Sequence, residues 1–167
     1  IPGLAAPLAV QRAAASAGRV VLNTGSVNPD LSTVGCVPVA TQWAPDTTML
    51  ASTLARGIAG LGAARWFLIL ADTTLGLLMQ RDAAAAIRAA GGTVVGAARR
   101  PDETVDFASA FAQAREADAQ VIGLCDFGPT LVRQLRRARQ AGAFEEGRMV
   151  ASFMGDVADI RAAGIDA

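Results

Sequence analysis

Apolar and polar positions along the chain fall into a repeating series of short extended runs and longer amphipathic ones. Residues Ala5 to Ala17 carry a helical pattern that ends at Gly18, and Val20 to Leu22 follow as a short strand. Cys36 to Ala40 form a second extended candidate. In the link Gln42-Trp43-Ala44-Pro45-Asp46, Pro45 and Asp46 open a helix through about Leu61, with the Asp side chain placed to cap free backbone amides. Arg65 to Ala71 (RWFLILA) is apolar enough for a strand buried on both faces, and Leu75 to Ala90 is a helix closed by Gly91-Gly92. The series continues with a strand at Thr93 to Ala98, a helix at Asp106 to Ala117 and a strand at Gln120 to Cys125. A helix from Pro129 to Ala141, stopped by Gly142, a strand at Arg148 to Phe153 and a short helix near Val157 to Ala163 complete it.

Strands alternating with helices of roughly 12 to 16 residues imply right-handed crossovers between parallel strands, hence an α/β chain with an open, doubly wound parallel sheet. In such sheets ligands bind beyond the carboxyl ends of the strands. Attention therefore goes to segments 23–28, 71–76, 99–103, 125–129 and 153–156.

Composition narrows the picture. The 167 residues are 52% hydrophobic and balance 15 acids against 15 bases, which suits one or two compact units. All the bases are arginines, scattered except for Arg133, Arg136, Arg137 and Arg139 on one helix, so no nucleic-acid footprint emerges and that cluster reads as a solvated helix face. No run approaches the roughly 18 apolar residues of a membrane span, and no basic leader precedes an apolar stretch. The chain opens at Ile1-Pro2-Gly3 without Met, as an internal piece of a longer protein would. Cys36 and Cys125 have no CxxC spacing and no His to share a metal with, so both read as buried, inert thiols, and no metal or cofactor is expected.

Thr24-Gly25-Ser26 lacks the GxSxG pattern and the chain has no His to take a proton, which argues against serine hydrolysis. It is no phosphate loop either, since there is no GxxxxGK[ST] and no lysine. What remains is a nest of backbone amides for a carboxylate, or a plain turn with a proline stop. After the next strong strand, Asp72 or Thr73 caps a helix or faces a ligand. At Cys125-Asp126-Phe127-Gly128-Pro129, Phe127 stacks on a ligand or packs onto the following helix, and in Met154-Gly155-Asp156 the carboxylate suits an ammonium partner or a helix N-terminus. Trp43 walls a pocket or buries a hinge. An enzyme built on Cys125 with Asp126 lacks an evident base, so no catalytic residue is assigned.

Four runs carry a resemblance: LNTGSVNPDLS, TQWAPDTTMLASTLARGIA, RWFLILADTTLGLLMQRDAAAAIRAAGGTVVGAARRPDETVDFASAF and ADAQVIGLCDFGPTLVRQLRRARQAGA. In that order they resemble the periplasmic solute-binding proteins of the leucine/isoleucine/valine type, the receptors of ATP-driven uptake transporters, with the type I periplasmic binding fold. The resemblance implies two lobes that close on a small solute. Residues 1–42 would be the end of the first lobe, 43–46 a crossover, and 47–167 the second lobe with the start of a return crossover.

The resemblance also implies site residues. A solute carboxylate would meet the first-lobe turns, which match Leu4, Ala5 and Ala6 and, with Thr24, the segment Gly25, Ser26 and Val27. An aromatic ring of the second lobe matches Phe127, without the phenol hydroxyl of many members. Asp72, Thr73 and Leu75 occupy the ADxxxG turn, with Leu75 where an aromatic often stands. Asp126 and Met154 flank the second-lobe side, and the acid for an amino group matches Asp156. Val27 stands where amino-acid binders often carry a hydroxyl, and this loss together with the missing phenol hydroxyl at Phe127 favours a less polar carboxylate such as an aromatic or branched acid. The expected partners are thus a small carboxylate or amino acid and a membrane permease in a periplasmic setting, with no nucleic acid. An amide- or urea-sensing regulator on the same fold is the alternative.

Overall fold

A computed structural model describes residues 5–101, 107–144 and 147–164. The chain divides into two compact units, Ile1–Leu50 and Ala51–Ala167.

The first unit begins with α1 (Ala5–Ser16), an alanine-rich helix ended by Gly18 in the left-handed conformation (φ 62°). Strand β1 (Val21–Asn23) follows, then a 3-10 turn at Pro29–Leu31 and strand β2 (Ala40–Gln42). β1 and β2 pair in parallel, with Asn23 in register with Gln42. Gln11, fully buried on α1, ties these pieces together: Nε2 donates to the carbonyls of Leu31 (3.0 Å) and Gly35 (2.6 Å), and Oε1 accepts from Asn23 (3.0 Å). A buried amide with both ends bonded is the form in which a polar side chain is tolerated in a core.

Helix α2 (Thr47–Ala59) leads into the second unit, and Asp46 caps its start by accepting from the amide of Met49 at 2.8 Å. Beyond it run β3 (Arg65–Ala71), α3 (Thr74–Ala89), β4 (Thr93–Arg100), α4 (Ala108–Glu116), β5 (Val121–Leu124), α5 (Gly128–Gln140), β6 (Met149–Ser152) and α6 (Val157–Ala162). The four strands pair in parallel in the order β4-β3-β5-β6. The chain steps from β3 to β4 in one direction, then crosses back to β5 on the far side of β3. Right-handed crossovers in opposite directions put α3 on one face of the sheet and α4 and α5 on the other. Burial agrees: Phe67 and Ile69 of β3 join Ile122 and Leu124 of β5 in one cluster with Phe111, Ala114, Leu131 and Leu135. Trp66, Leu68 and Leu70 alternate to the opposite face, and Met79, Ala83 and Ile87 of α3 are buried outside that cluster. β3 is buried along six of its seven residues, the double-sided burial its composition announces.

Three expectations need correction. The extended run expected at Cys36–Ala40 is instead a hydrogen-bonded turn region, and the strand lies at Ala40–Gln42. Pro38 has no amide to give to a ladder, and the carbonyls of Leu31 and Gly35 are drawn to Gln11. β4 runs two residues further than Ala98 because its ladder with β3 continues to the Ala71–Arg100 pair. Cys36 is exposed, whereas Cys125 is buried as expected. The Asp106 start expected for α4 lies outside the described residues.

Candidate functional site

The strand order makes β3 and β5 the two strands whose outgoing connections part to opposite sides, and such a switch point opens a crevice at the strands' carboxyl ends. Two turns stand there: Asp72-Thr73 after β3 and Cys125-Asp126-Phe127 after β5. Thr73 is the cap of α3, its Oγ1 accepting from the amide of Gly76 at 3.1 Å. Gly76 is required at that position because a Cβ there would overlap the carbonyl oxygen of Ala71. Asp72 donates its amide to the carbonyl of Arg100 (2.7 Å) and leaves its carboxylate exposed.

Asp126 points inward. Its Oδ2 accepts from Arg100 Nη2 and from Gln134 Nε2, both at 2.6 Å, and Asp126, Arg100 and Gln134 are all buried. Arg100 closes β4 on one side of β3 and Asp126 follows β5 on the other, so the ion pair spans the end of β3. Phe107 lies against the guanidinium, 4.9 Å from its ring centroid. Asp126 is thus paired from within the second unit, by Arg100 and Gln134. Phe127, next in the chain, is 57% exposed and extended at the start of α5 (φ −144°, ψ 168°). Gly128 supplies the positive φ (57°) that turns the chain into α5.

Cys125, immediately before, has its thiol pushed far up by burial, with the Asp126 carboxylate adding to the effect. Burial and the neighbouring carboxylate both favour the neutral thiol over the thiolate. Asp156 takes the helix N-terminus role: it caps α6 in a capping box, accepting from the amide of Asp159 (2.9 Å) while Asp159 accepts from Asp156 (3.3 Å), and its carboxylate is exposed. Met154 and Leu75 are half-buried.

In the first unit the turn 24–27 is held by its carbonyls. Gln42 Nε2 donates to Ser26 O at 2.7 Å and Thr47 N donates to Val27 O at 3.0 Å. The amides of Gly25, Ser26 and Val27 donate no hydrogen bond among the described residues. Thr24 and Gly25 are exposed, and Ser26 and Val27 half-buried. Trp43, 73% exposed, donates its indole N–H to Thr41 (2.9 Å), so it buries no hinge within this unit. Ala5 and Ala6 lie in the first turn of α1, and Leu4 lies outside the described residues.

A sequence profile described as periplasmic binding protein matches residues 1–167. The chain belongs to the periplasmic binding protein family. Among solved structures, a periplasmic binding protein from Burkholderia mallei is 28% identical with a TM-score of 0.80, over 95% of this chain and 42% of its own. A branched chain amino acid ABC transporter periplasmic ligand-binding protein from Burkholderia xenovorans LB400 is 25% identical with a TM-score of 0.86, over 94% of this chain and 42% of that one. An R. palustris ABC transporter solute-binding protein in complex with benzoate shares the fold at 15% identity and a TM-score of 0.79, over 95% of this chain and 44% of that one. The chain thus spans less than half the length of these structures. No curated protein sequence matches it.

For this member of the periplasmic binding protein family, three side chains escaped sequence reasoning: Arg100, Gln134 and Gln42. Arg100 is joined to Asp126 only by the strand order, while Gln134 reaches it from α5, eight residues further along the same β5–α5 unit. The arginine cluster on α5 is also partly structural, since Arg136 donates to the carbonyl of Ala162 (2.6 Å) and Arg139 to that of Gly164 (2.9 Å). The shallow hollow of about 280 Å³ among Arg133, Arg136, Arg137 and Gln140 lies along α5, away from the turns described above.

Proposed function

We propose that the complete protein carrying this chain is a periplasmic receptor of an ABC transporter, which takes a small carboxylate or amino acid between two lobes and delivers it to a membrane permease. Branched-chain amino acids and aromatic acids are the solute classes. In this reading residues 1–42 end the first lobe, 43–46 form a crossover, and 47–167 form the second lobe and the start of a return crossover.

The observation that carries this reading is the turn Gly25–Val27, whose carbonyls are engaged while its amides are left over. Adjacent unpaired amides on a small-residue turn form a nest for an anion, and a carboxylate is the anion this family's relatives name. On the second unit, Phe127 offers an exposed ring for the solute's apolar part. Asp72 is an exposed carboxylate at the same strand ends, available to an ammonium group. The inert Cys125 and the family's receptor character speak for capture without turnover. A solute that touches both lobes only when they are closed would shift an existing open–closed equilibrium.

Calorimetry and thermal-shift measurements on the complete protein with leucine, valine, benzoate and 4-hydroxybenzoate test the reading. Saturable binding of at least one, with stabilisation that grows with its concentration, is expected. No stabilisation by any carboxylate would overturn it.

A further inference from the structure

The frame beneath the Gly25–Val27 turn comes from residues 42–47, and one side chain holds its centre. Gln42 is the last residue of β2, so the ladder with β1 fixes its backbone before its side chain reaches forward. Its Nε2 donates to Ser26 O at 2.7 Å and to Ala44 O at 3.1 Å. Both partners are carbonyls, so only the donor end of the amide can face them, and the orientation of the side chain follows from chemistry. The other end, Oε1, is buried and accepts no hydrogen bond among the described residues. A buried acceptor without a partner lowers stability. The two bonds made by Nε2 offset that cost, since they satisfy the carbonyls of Ser26 and Ala44.

Ser26 O belongs to the same planar, trans peptide unit as the amide of Val27, and in such a unit the C=O and N–H directions oppose each other. Holding the carbonyl on the Gln42 side aims the Val27 N–H away from it. Thr47 N on Val27 O fixes the next peptide in the same way, and that peptide's amide, Asn28 N, donates to Ser26 Oγ at 3.4 Å. We propose that Gln42 is the positioning residue of the carboxylate site. Its single NH2 group clamps the middle of the nest to Ala44 and sets the direction of the Val27 amide before any solute arrives. This rests on the reading of the Gly25–Val27 turn as a carboxylate nest, and preorganised donors of this kind bind more tightly because the ordering has already been done.

The test is Gln42→Met in the complete protein, with Gln42→Glu as a second variant. Three measurements are made: the amide order parameters of Ser26 and Val27 by 15N relaxation without solute, the melting temperature, and the affinity for leucine and benzoate. For Gln42→Met, a more mobile Val27 amide and about tenfold weaker binding of both carboxylates are expected. Gln42→Glu, which turns a charged acceptor toward two carbonyls and toward the solute's charge, should bind more weakly still. An unchanged Val27 order parameter in Gln42→Met overturns the proposal, as does a lowered melting temperature with unchanged affinity. A parent protein that binds no carboxylate sinks the reading of the nest, while the relaxation measurement still decides whether Gln42 orders the turn.

Discussion

The turn after β1 and the turn after β5 occupy the same place in their sheets, the carboxyl end of a parallel strand, yet they leave opposite chemistry over. After β1, the side chain of Gln42 and the amide of Thr47 consume the carbonyls, so backbone amides remain. After β5, Arg100 and Gln134 consume the carboxylate of Asp126, so an aromatic ring remains. What a strand end can offer a solute is decided by which of its polar groups the neighbouring elements have already absorbed. An acidic residue in the right segment is a candidate only until its partners are known.

The sharpest way to break this contrast is to release Asp126. Arg100→Met leaves a buried carboxylate with Gln134 alone, and loss of one partner of a buried pair costs about 3–5 kcal/mol. Urea denaturation should read a loss of that size. A loss under about 1 kcal/mol would mean that water already solvates the pair, and Asp126 would return as a solute-facing candidate. The double replacement Arg100→Met with Asp126→Leu should recover much of the deficit, because no uncompensated charge is then left in the core.

Cys125 extends the same contrast to the thiols. Its folded pKa lies above the unfolded value, so the stability tied to the neutral thiol is fully present below the ordinary thiol range of about 8.5 and is lost as pH rises beyond it. Where only the unfolded thiol ionises, the slope is about 1.4 kcal/mol per pH unit. Of the two, a thiol reagent at pH 8 should modify exposed Cys36 in the native protein and Cys125 only after unfolding. Rapid native labelling of Cys125 would show that the end of β5 opens far more readily than its burial implies.

How much of this was legible in the sequence follows the range over which each feature is determined. β3 was readable to the residue, because RWFLILA is apolar on both faces and flanked by helix signals. The ends of α1, α3 and α5 were readable through Gly18, Gly91 and Gly142, each at positive φ. The place of β2 is not legible locally, because the residues that redirect it, Gln11 and its carbonyl partners, lie 20 and 24 positions apart in sequence. The same reason hid the setting of Asp126: Arg100 is 26 residues away, and only the order β4-β3-β5 brings the two across the end of β3. The turn at Gly25–Val27 was legible as small and hydroxyl-rich, but whether its amides are free depends on Gln42 and Thr47, which no local pattern shows.

Phe127→Ala tests the ring side of the contrast. With the ring 57% exposed, stability should change by no more than about 0.5 kcal/mol. Affinity for the bound carboxylate should fall about tenfold, with benzoate losing more than valine because it forfeits ring-on-ring contact as well as area. Equal binding by parent and variant in calorimetry would leave the β5 turn without a role in solute contact.

Val27→Thr is the mildest change and acts on the amide side. Val and Thr have nearly the same shape, so the substitution adds a hydroxyl beside the nest without displacing Gln42 or Thr47 from the carbonyls they hold. A neutral hydrogen bond gained in this setting is worth about 1 kcal/mol, or roughly fivefold in affinity. Leucine, with both a carboxylate and an ammonium group to engage, should gain more than benzoate, which has only the carboxylate. If benzoate gains as much, the hydroxyl serves the carboxylate alone and Val27 does not select against amino acids. If neither gains, the Val27 side chain lies away from the solute, and only its amide, aimed by Gln42, belongs to the site.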